Sequence, residues 1–421
     1  MLGTKRVLVA VAVGVIEGCG GEKPTGPAPP PPPPPTRLVA EFKPGNLGFY
    51  YGPPTLVGGA VYAGTSRGIR FRWADTNAFY KLTAAALAKV WEFPLGAKEV
   101  RGGAALDPAG NVYFFVEEGR GIDNSNPSTF WLYSLDPSGT LRWTKEVRRT
   151  GPTTGMNNPA IATDGTIYIL GDYFYAYAPD GSLRWRYREA SAYLGMNAPI
   201  IDQVGNLYFS ASGSVVSLSP SGTKRWSVAT TGEYFSSPAF SVDQSKIFVG
   251  VGNRVLCLAS ATGAVVWTFT PAGNPGTFRA TPAVDDADNV YLGTKGDSLS
   301  TMYAIKADGS GTQWERKIGR DLYSSPAIGT DRTLYFGAEG AKLWALDLAT
   351  GAERWHEDLH RDATWSSPAV ADDGSLYLGS MDLNGDGGAV YRFRTDSRGL
   401  LRGAGSPRFH GGNASTGRRE R

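Results

Sequence analysis

A tryptophan returns at nearly constant spacing along most of this chain. It stands at positions 91, 143, 185, 226, 267, 314 and 355, and most of the intervals are 41 or 42 residues. A fixed period of about 40–45 residues marks a repeat architecture, in which each unit buries its apolar face only by stacking on a neighbour. A second aromatic keeps step with the tryptophan: Tyr113, Tyr168, Tyr208, Phe248, Tyr291, Tyr335 and Tyr377, with Tyr62 as a weaker first copy. Most units open on a Pro-small dipeptide, as in Asn158-Pro159-Ala160, Ser237-Pro238-Ala239 and Ser325-Pro326-Ala327. A turn and a β-rich stretch follow, such as Asp164-Gly165-Thr166-Ile167-Tyr168, then a further strand, a turn glycine and the tryptophan.

Four short strands and their turns fill a unit of this length, and a four-stranded unit at this period is a propeller blade. Helical periodicity is confined to a weak run at residues 82–87. The 55 glycines fit a chain of many tight turns. Counting the opening strands gives eight units over residues 37–405. The last unit lacks its tryptophan strand, and Arg37-Leu38-Val39-Ala40-Glu41-Phe42 reads as the missing outer strand. Supplying it from the N-terminus would remove the open edges of a linear array. The expected fold is an all-β, eight-bladed β-propeller of four-stranded blades, closed by the N-terminal strand.

Ala345-Leu346-Asp347-Leu348-Ala349-Thr350-Gly351-Ala352-Glu353-Arg354-Trp355 resembles the tryptophan-docking motif of the quinoprotein-like (PQQ repeat) β-propeller family. Looser copies end at Trp143, Trp267 and Trp314. The resemblance covers nearly the whole chain after residue 36. It implies that Trp143, Trp185, Trp226, Trp267, Trp314 and Trp355 pack against the neighbouring blade; ligand stacking is the alternative. Residues 406–417 are similar to the Trp-Pro-x-Phe-x-Gly-Asn segment near chain ends in this family, with Ser406 at the tryptophan position. That departure leaves open whether the tail at residues 406–421 docks firmly.

The first 36 residues read as export and tether. Lys5 and Arg6 precede an apolar run at residues 7–16, too short to span a bilayer but suited to a signal peptide. Ile16-Glu17-Gly18-Cys19 resembles a bacterial lipobox, with Glu17 where the pattern prefers a small or apolar residue. The expectation is a signal peptide over 1–19, lipidation at Cys19 and a Pro-rich spacer over 20–36, since polyproline is stiff and extended. The protein is accordingly expected in the cell envelope, as an outer-membrane lipoprotein or in the periplasm.

The formal net charge of +3 asks for no nucleic acid, and two cysteines make no disulfide framework. His356-Glu357-Asp358-Leu359-His360 matches a zinc-protease pattern, but on a strand the two histidines would stand about 13 Å apart, too far to share a metal. Asp382, Asn384 and Asp386 match the start of a calcium loop, with Phe393 where a bidentate glutamate would stand. Either a calcium ion or a polar hairpin fits that segment. PQQ dehydrogenases of the resembled family use a vicinal cysteine pair, calcium and a catalytic aspartate; here Cys257 stands alone in an apolar strand, so no PQQ is expected. The loops that enter each opening strand carry Asn157, Asn197, Tyr234, Phe278, Tyr323 and Trp365. These form either a binding face around the channel or the closure of the core beneath the loops. In overall design the chain resembles the lipid-anchored propellers of the outer-membrane barrel-assembly machinery. That implies a monomeric, non-enzymatic scaffold with a protein or polysaccharide partner; the rival is a secreted PQQ-dependent or carbohydrate-active enzyme.

Overall fold

The computed structural model describes residues 36–418, apart from 46, 50–51, 67–75, 120–128, 148–156, 190–196, 212, 231–235, 360–364 and 382–386. Arg37–Arg421 forms one compact unit. Its strands build eight antiparallel sheets, one per repeat, and each runs from a short inner strand to an outer strand that bears a tryptophan in every blade but the eighth. Blade 3 is typical: Ala160–Ile161, Ile167–Leu170, Phe174–Tyr177 and Leu183–Tyr187. The eighth blade joins Ala369–Val370, Ser375–Gly379 and Val390–Arg394 to the N-terminal Leu38–Phe42. The ring is therefore closed by strands from opposite ends of the chain. Residues 82–87, read as weakly helical, instead end a strand (Asn77–Thr83) and make the following turn.

The core lies between blades, not within them. Side chains alternate across a strand, so each middle strand feeds both neighbours. Tyr168 and Leu170 pack with blade 4, whereas Ile167 and Ile169 pack with blade 2. Eight apolar clusters result, one at every seam, including the closing seam, where Tyr377 and Val390 meet Val61, Tyr80 and Leu82. This explains why the middle strands read as nearly continuous apolar runs.

The outer edge of each seam carries a recurring contact. Trp226 of blade 4 donates its indole N–H to the Ser260 carbonyl of blade 5 at 2.9 Å. The indole lies over Gly263, whose φ is +78° and where a Cβ would come within 2.8 Å of the ring. Equivalent indole bonds run from Trp91 to Pro137, Trp143 to Pro179, Trp185 to Pro220, Trp267 to Ala307 and Trp314 to Leu348, at 2.9–3.1 Å. Trp355 meets blade 8, which has no such turn; the Arg37 guanidinium lies 4.7 Å from its ring centre instead.

The C-terminal segment is firmly held, although Ser406 stands at the tryptophan position. It hydrogen-bonds to the inner strand of every blade. Leu56, Leu106, Ile161 and Ile201 donate backbone N–H groups to the carbonyls of Asn413, Ala414, Thr416 and Gly417. Val284 and Ile328 donate to those of Ser406 and Pro407. Phe240 donates to Ser406 Oγ at 2.9 Å, and Asn413 Nδ2 donates to the Val370 carbonyl at 2.8 Å. Ser406 thus docks through its hydroxyl and its carbonyl, where the family pattern has an indole.

Candidate functional site

The tail marks one face of the ring. Because strands within a blade are antiparallel, the connections from an outer strand to the next inner strand emerge on the opposite face, the mouth. Three successive positions before each inner strand have separate jobs there.

Three residues before the strand, the small polar side chain bonds within its own blade. Asn157 Nδ2 donates to the Leu170 carbonyl, and Asn197 Nδ2 to that of Ser210 at 3.3 Å. Ser236, Ser324 and Ser366 accept through Oγ from the N–H groups of Gly250, Gly337 and Gly379 at 2.8–3.0 Å. Two residues before the strand, the side chain bonds to the preceding blade. Gly103, Ala198, Thr281 and Ser325 donate backbone N–H groups to Asn158 Oδ1, Ser237 Oγ, Ser325 Oγ and Ser367 Oγ at 2.8–3.0 Å. These bonds lace blades together around the axis. Sequence reading did not assign this role, although the residue before the Pro-small dipeptide is Ser or Asn in several copies.

Four residues before the strand stand Arg101, Arg279, Tyr323 and Trp365. Tyr323 and Trp365 stack, with ring centres 4.1 Å apart and planes 11° apart, and Arg279 lies 5.9 Å from the Tyr323 ring. All three are partly exposed. Asn157 and Asn197, by contrast, are buried. Phe278 is fully buried, packed edge-on against Tyr303 at 5.9 Å, and so belongs to the core, because its strand position turns it into the seam. Tyr234, the Asp382/Asn384/Asp386 loop, Cys19 and His360 lie outside the described residues; His356 lies on the strand Glu353–Asp358.

A charged cluster sits on the mouth side of blade 2. Glu99 and Glu117 face each other across neighbouring strands, and both are buried. Arg101, 1% exposed, bonds Glu117 through Nε and approaches Glu99 at 3.7 Å. Two like charges opposite one another are unfavourable, and the guanidinium between them offsets that cost. Beyond it, Lys98 pairs with Glu118 at 3.3 Å. Among the described residues no group of three or more His, Cys, Asp or Glu is arranged to hold a metal. Cys257 is buried, and desolvation pushes its thiol up to about 12, so it stays protonated at neutral pH.

Eight closed blades, indole seams and a ring-spanning tail define the class: an eight-bladed β-propeller. Within it, residues 211–380 match the family model described as outer membrane protein assembly factor BamB. The fold is similar to that of BamB from Moraxella catarrhalis, with a TM-score of 0.61 and 13% identity over 85% of this chain and 99% of that one. It is also similar to a europium-containing methanol dehydrogenase, with a TM-score of 0.65 and 13% identity over 85% and 93%. A tetrathionate hydrolase from Acidithiobacillus ferrooxidans is 24% identical over 217 residues, half of this chain and 39% of that protein's length. The match therefore spans well under half of that relative.

Proposed function

We propose that the protein is a non-enzymatic binding scaffold of the bacterial envelope, tethered through Cys19 and presenting its mouth face to a protein or polysaccharide. The match of residues 211–380 to the BamB family carries this reading. The mouth supports it: besides the cluster at Arg101 and the Lys295–Asp321 pair, the described positions just before the inner strands include amides, hydroxyls and an Arg-Tyr-Trp stack, chemistry suited to polymer contact.

A second reading, a quinone-dependent enzyme, is favoured by the likeness to methanol dehydrogenase. The residues do not fit it well. The only cysteines are Cys19 and Cys257, so no vicinal pair exists. The buried cluster holds two carboxylates to one guanidinium, which disfavours a quinone bearing several carboxylates. Capture of partners from envelope extracts on the tethered protein, beside reconstitution with PQQ and calcium, separates the two. The scaffold reading expects a saturable partner and no dye-linked oxidation of alcohols or sugars. Saturable, calcium-dependent oxidation would overturn it.

A further inference from the structure

We propose that the tail face carries a binding site of its own: a cavity on the ring axis that takes a short peptide with free ends. It lies away from the mouth and goes beyond the scaffold reading.

The cavity holds about 600 Å³. Its lining joins opposite sides of the ring. Gln203 stands in the turn after the inner strand of blade 4, Ile200–Ile201, and Asp372 in the turn after that of blade 8, Ala369–Val370. Blades 4 and 8 face each other across a ring of eight, so the cavity sits over the axis. The C-terminal segment forms the wall between them, with Arg402 and the bare backbone of Gly403, Gly411 and Gly412. The site is therefore complete only when the tail has docked. Gln203, Asp372, Arg402 and Gly403 are all exposed, so the cavity opens to solvent on this face.

The charges around it select the ligand class. Neighbouring charges on the tail face are taken up by the protein itself: Asp373 pairs with Arg392 at 3.4 Å, and Asp286 with Arg332 at 2.6 Å. Asp372 and Arg402 differ. Among the described residues neither makes an ion pair or a side-chain hydrogen bond. An exposed charge needs no partner; what sets these two apart is that they open into one cavity with opposite signs. A guanidinium takes a carboxylate through two parallel N–H bonds, and a carboxylate accepts from an ammonium. A single ion would meet one charge and leave most of the space empty, because cavities of about 300–1,000 Å³ hold drug-sized molecules. A short peptide meets the whole lining: a terminal ammonium for Asp372, a terminal carboxylate for Arg402, and amides for Gln203 and the glycine backbone. A cavity of about 300 Å³ shares Gln203 with this one and reaches Trp185 and Pro220 at the seam of blades 3 and 4, which gives a ligand side chain somewhere to lie.

Calorimetric titration of the full chain with the tetrapeptides Ala-Ala-Ala-Ala and Gly-Phe-Ser-Ala tests this, each with free ends, N-acetylated, C-amidated and capped at both ends. At least one free-ended peptide should bind with Kd below about 1 mM, and either cap should weaken it about tenfold or more. Arg402→Gln should abolish the effect of amidation, and Asp372→Asn that of acetylation, which assigns each end to its side chain. Both variants should melt with the parent, because neither side chain has a bond to lose. No binding by either free-ended peptide, equal binding of the doubly capped forms, or cap effects that persist in both variants would overturn the proposal. The scaffold reading stands or falls on partner capture at the mouth, so failure here leaves it untouched.

Discussion

Replacing Trp226 with alanine removes an indole that is 9% exposed, bonded to Ser260 and seated over Gly263. The expected loss is about 3–5 kcal/mol, the usual range for a buried tryptophan, read from denaturant unfolding. Gly263→Ala should also destabilise, through its positive φ and through collision with the indole. The two changes share one contact, so their effects should be non-additive: Gly263→Ala should cost less once Trp226 is gone. Additive losses would show that indole and glycine are not coupled. His410 in the tail supplies a pH effect. It is buried, with Nε2 2.9 Å from the Pro199 carbonyl, and burial foremost, with Arg408 beside it, lowers it from 6.5 to about 4. The unfolded chain then binds the proton more readily than the folded one. The stabilising difference is fully present above about pH 6.5 and is lost as pH falls towards 4. On the order of 3 kcal/mol rides on that window. The stability difference between the parent and His410→Gln should therefore change with pH between 6.5 and 4 and be flat above it.

At the scale of elements, the tail is the clearest test. It makes a bond to the inner strand of each blade, and at about 1 kcal/mol net per bond its removal should cost at least about 5 kcal/mol. A chain ending at residue 405 should melt well below the parent; an unchanged melting temperature would mean the tail only rests on the ring. The closing seam explains another departure from the repeat. In the outer strand of blade 8 the register puts Ala40 where the other blades carry tryptophan. Across from it, the turn of blade 1 has Leu87 at φ +53° where the others carry glycine, and Leu87 N–H bonds the Thr83 carbonyl as Gly351 N–H bonds that of Asp347. The small residue and the large one have exchanged sides, and Leu87 is buried in the seam. The carbonyl that would receive the indole, Ala84, accepts from Tyr377 Oη at 2.8 Å.

For the whole molecule, closure matters most: eight seams, each shared by two blades, leave no blade with a core of its own. The proposed envelope tether belongs to this scale as well. If Cys19 carries lipid, Cys19→Ser should move the protein from the membrane fraction to the soluble fraction, followed by immunoblot of fractionated cells. Retention of the variant in membranes would rule out lipid as the anchor.

The repeat period, the tryptophan spacing and the turn glycines were enough to read the fold, its eight blades and its N-terminal closure, because each is a local pattern copied along the chain. The site was less legible. Asn157, Tyr323 and Trp365 look alike in sequence as loop polar and aromatic residues, yet one bonds inside its blade and the other two stack at the mouth. Phe278 looked like a loop aromatic and is core. Ser406 looked like a lost anchor and holds two blades. In each case the outcome depends on which neighbour lies across a seam. Residues about 40 or more positions apart meet there, and Ser406 bonds Phe240 across 166. Local propensity fixes a blade; only the packing of one blade on the next, and of the two chain ends on the ring, decides which side chains join the core and which reach the mouth.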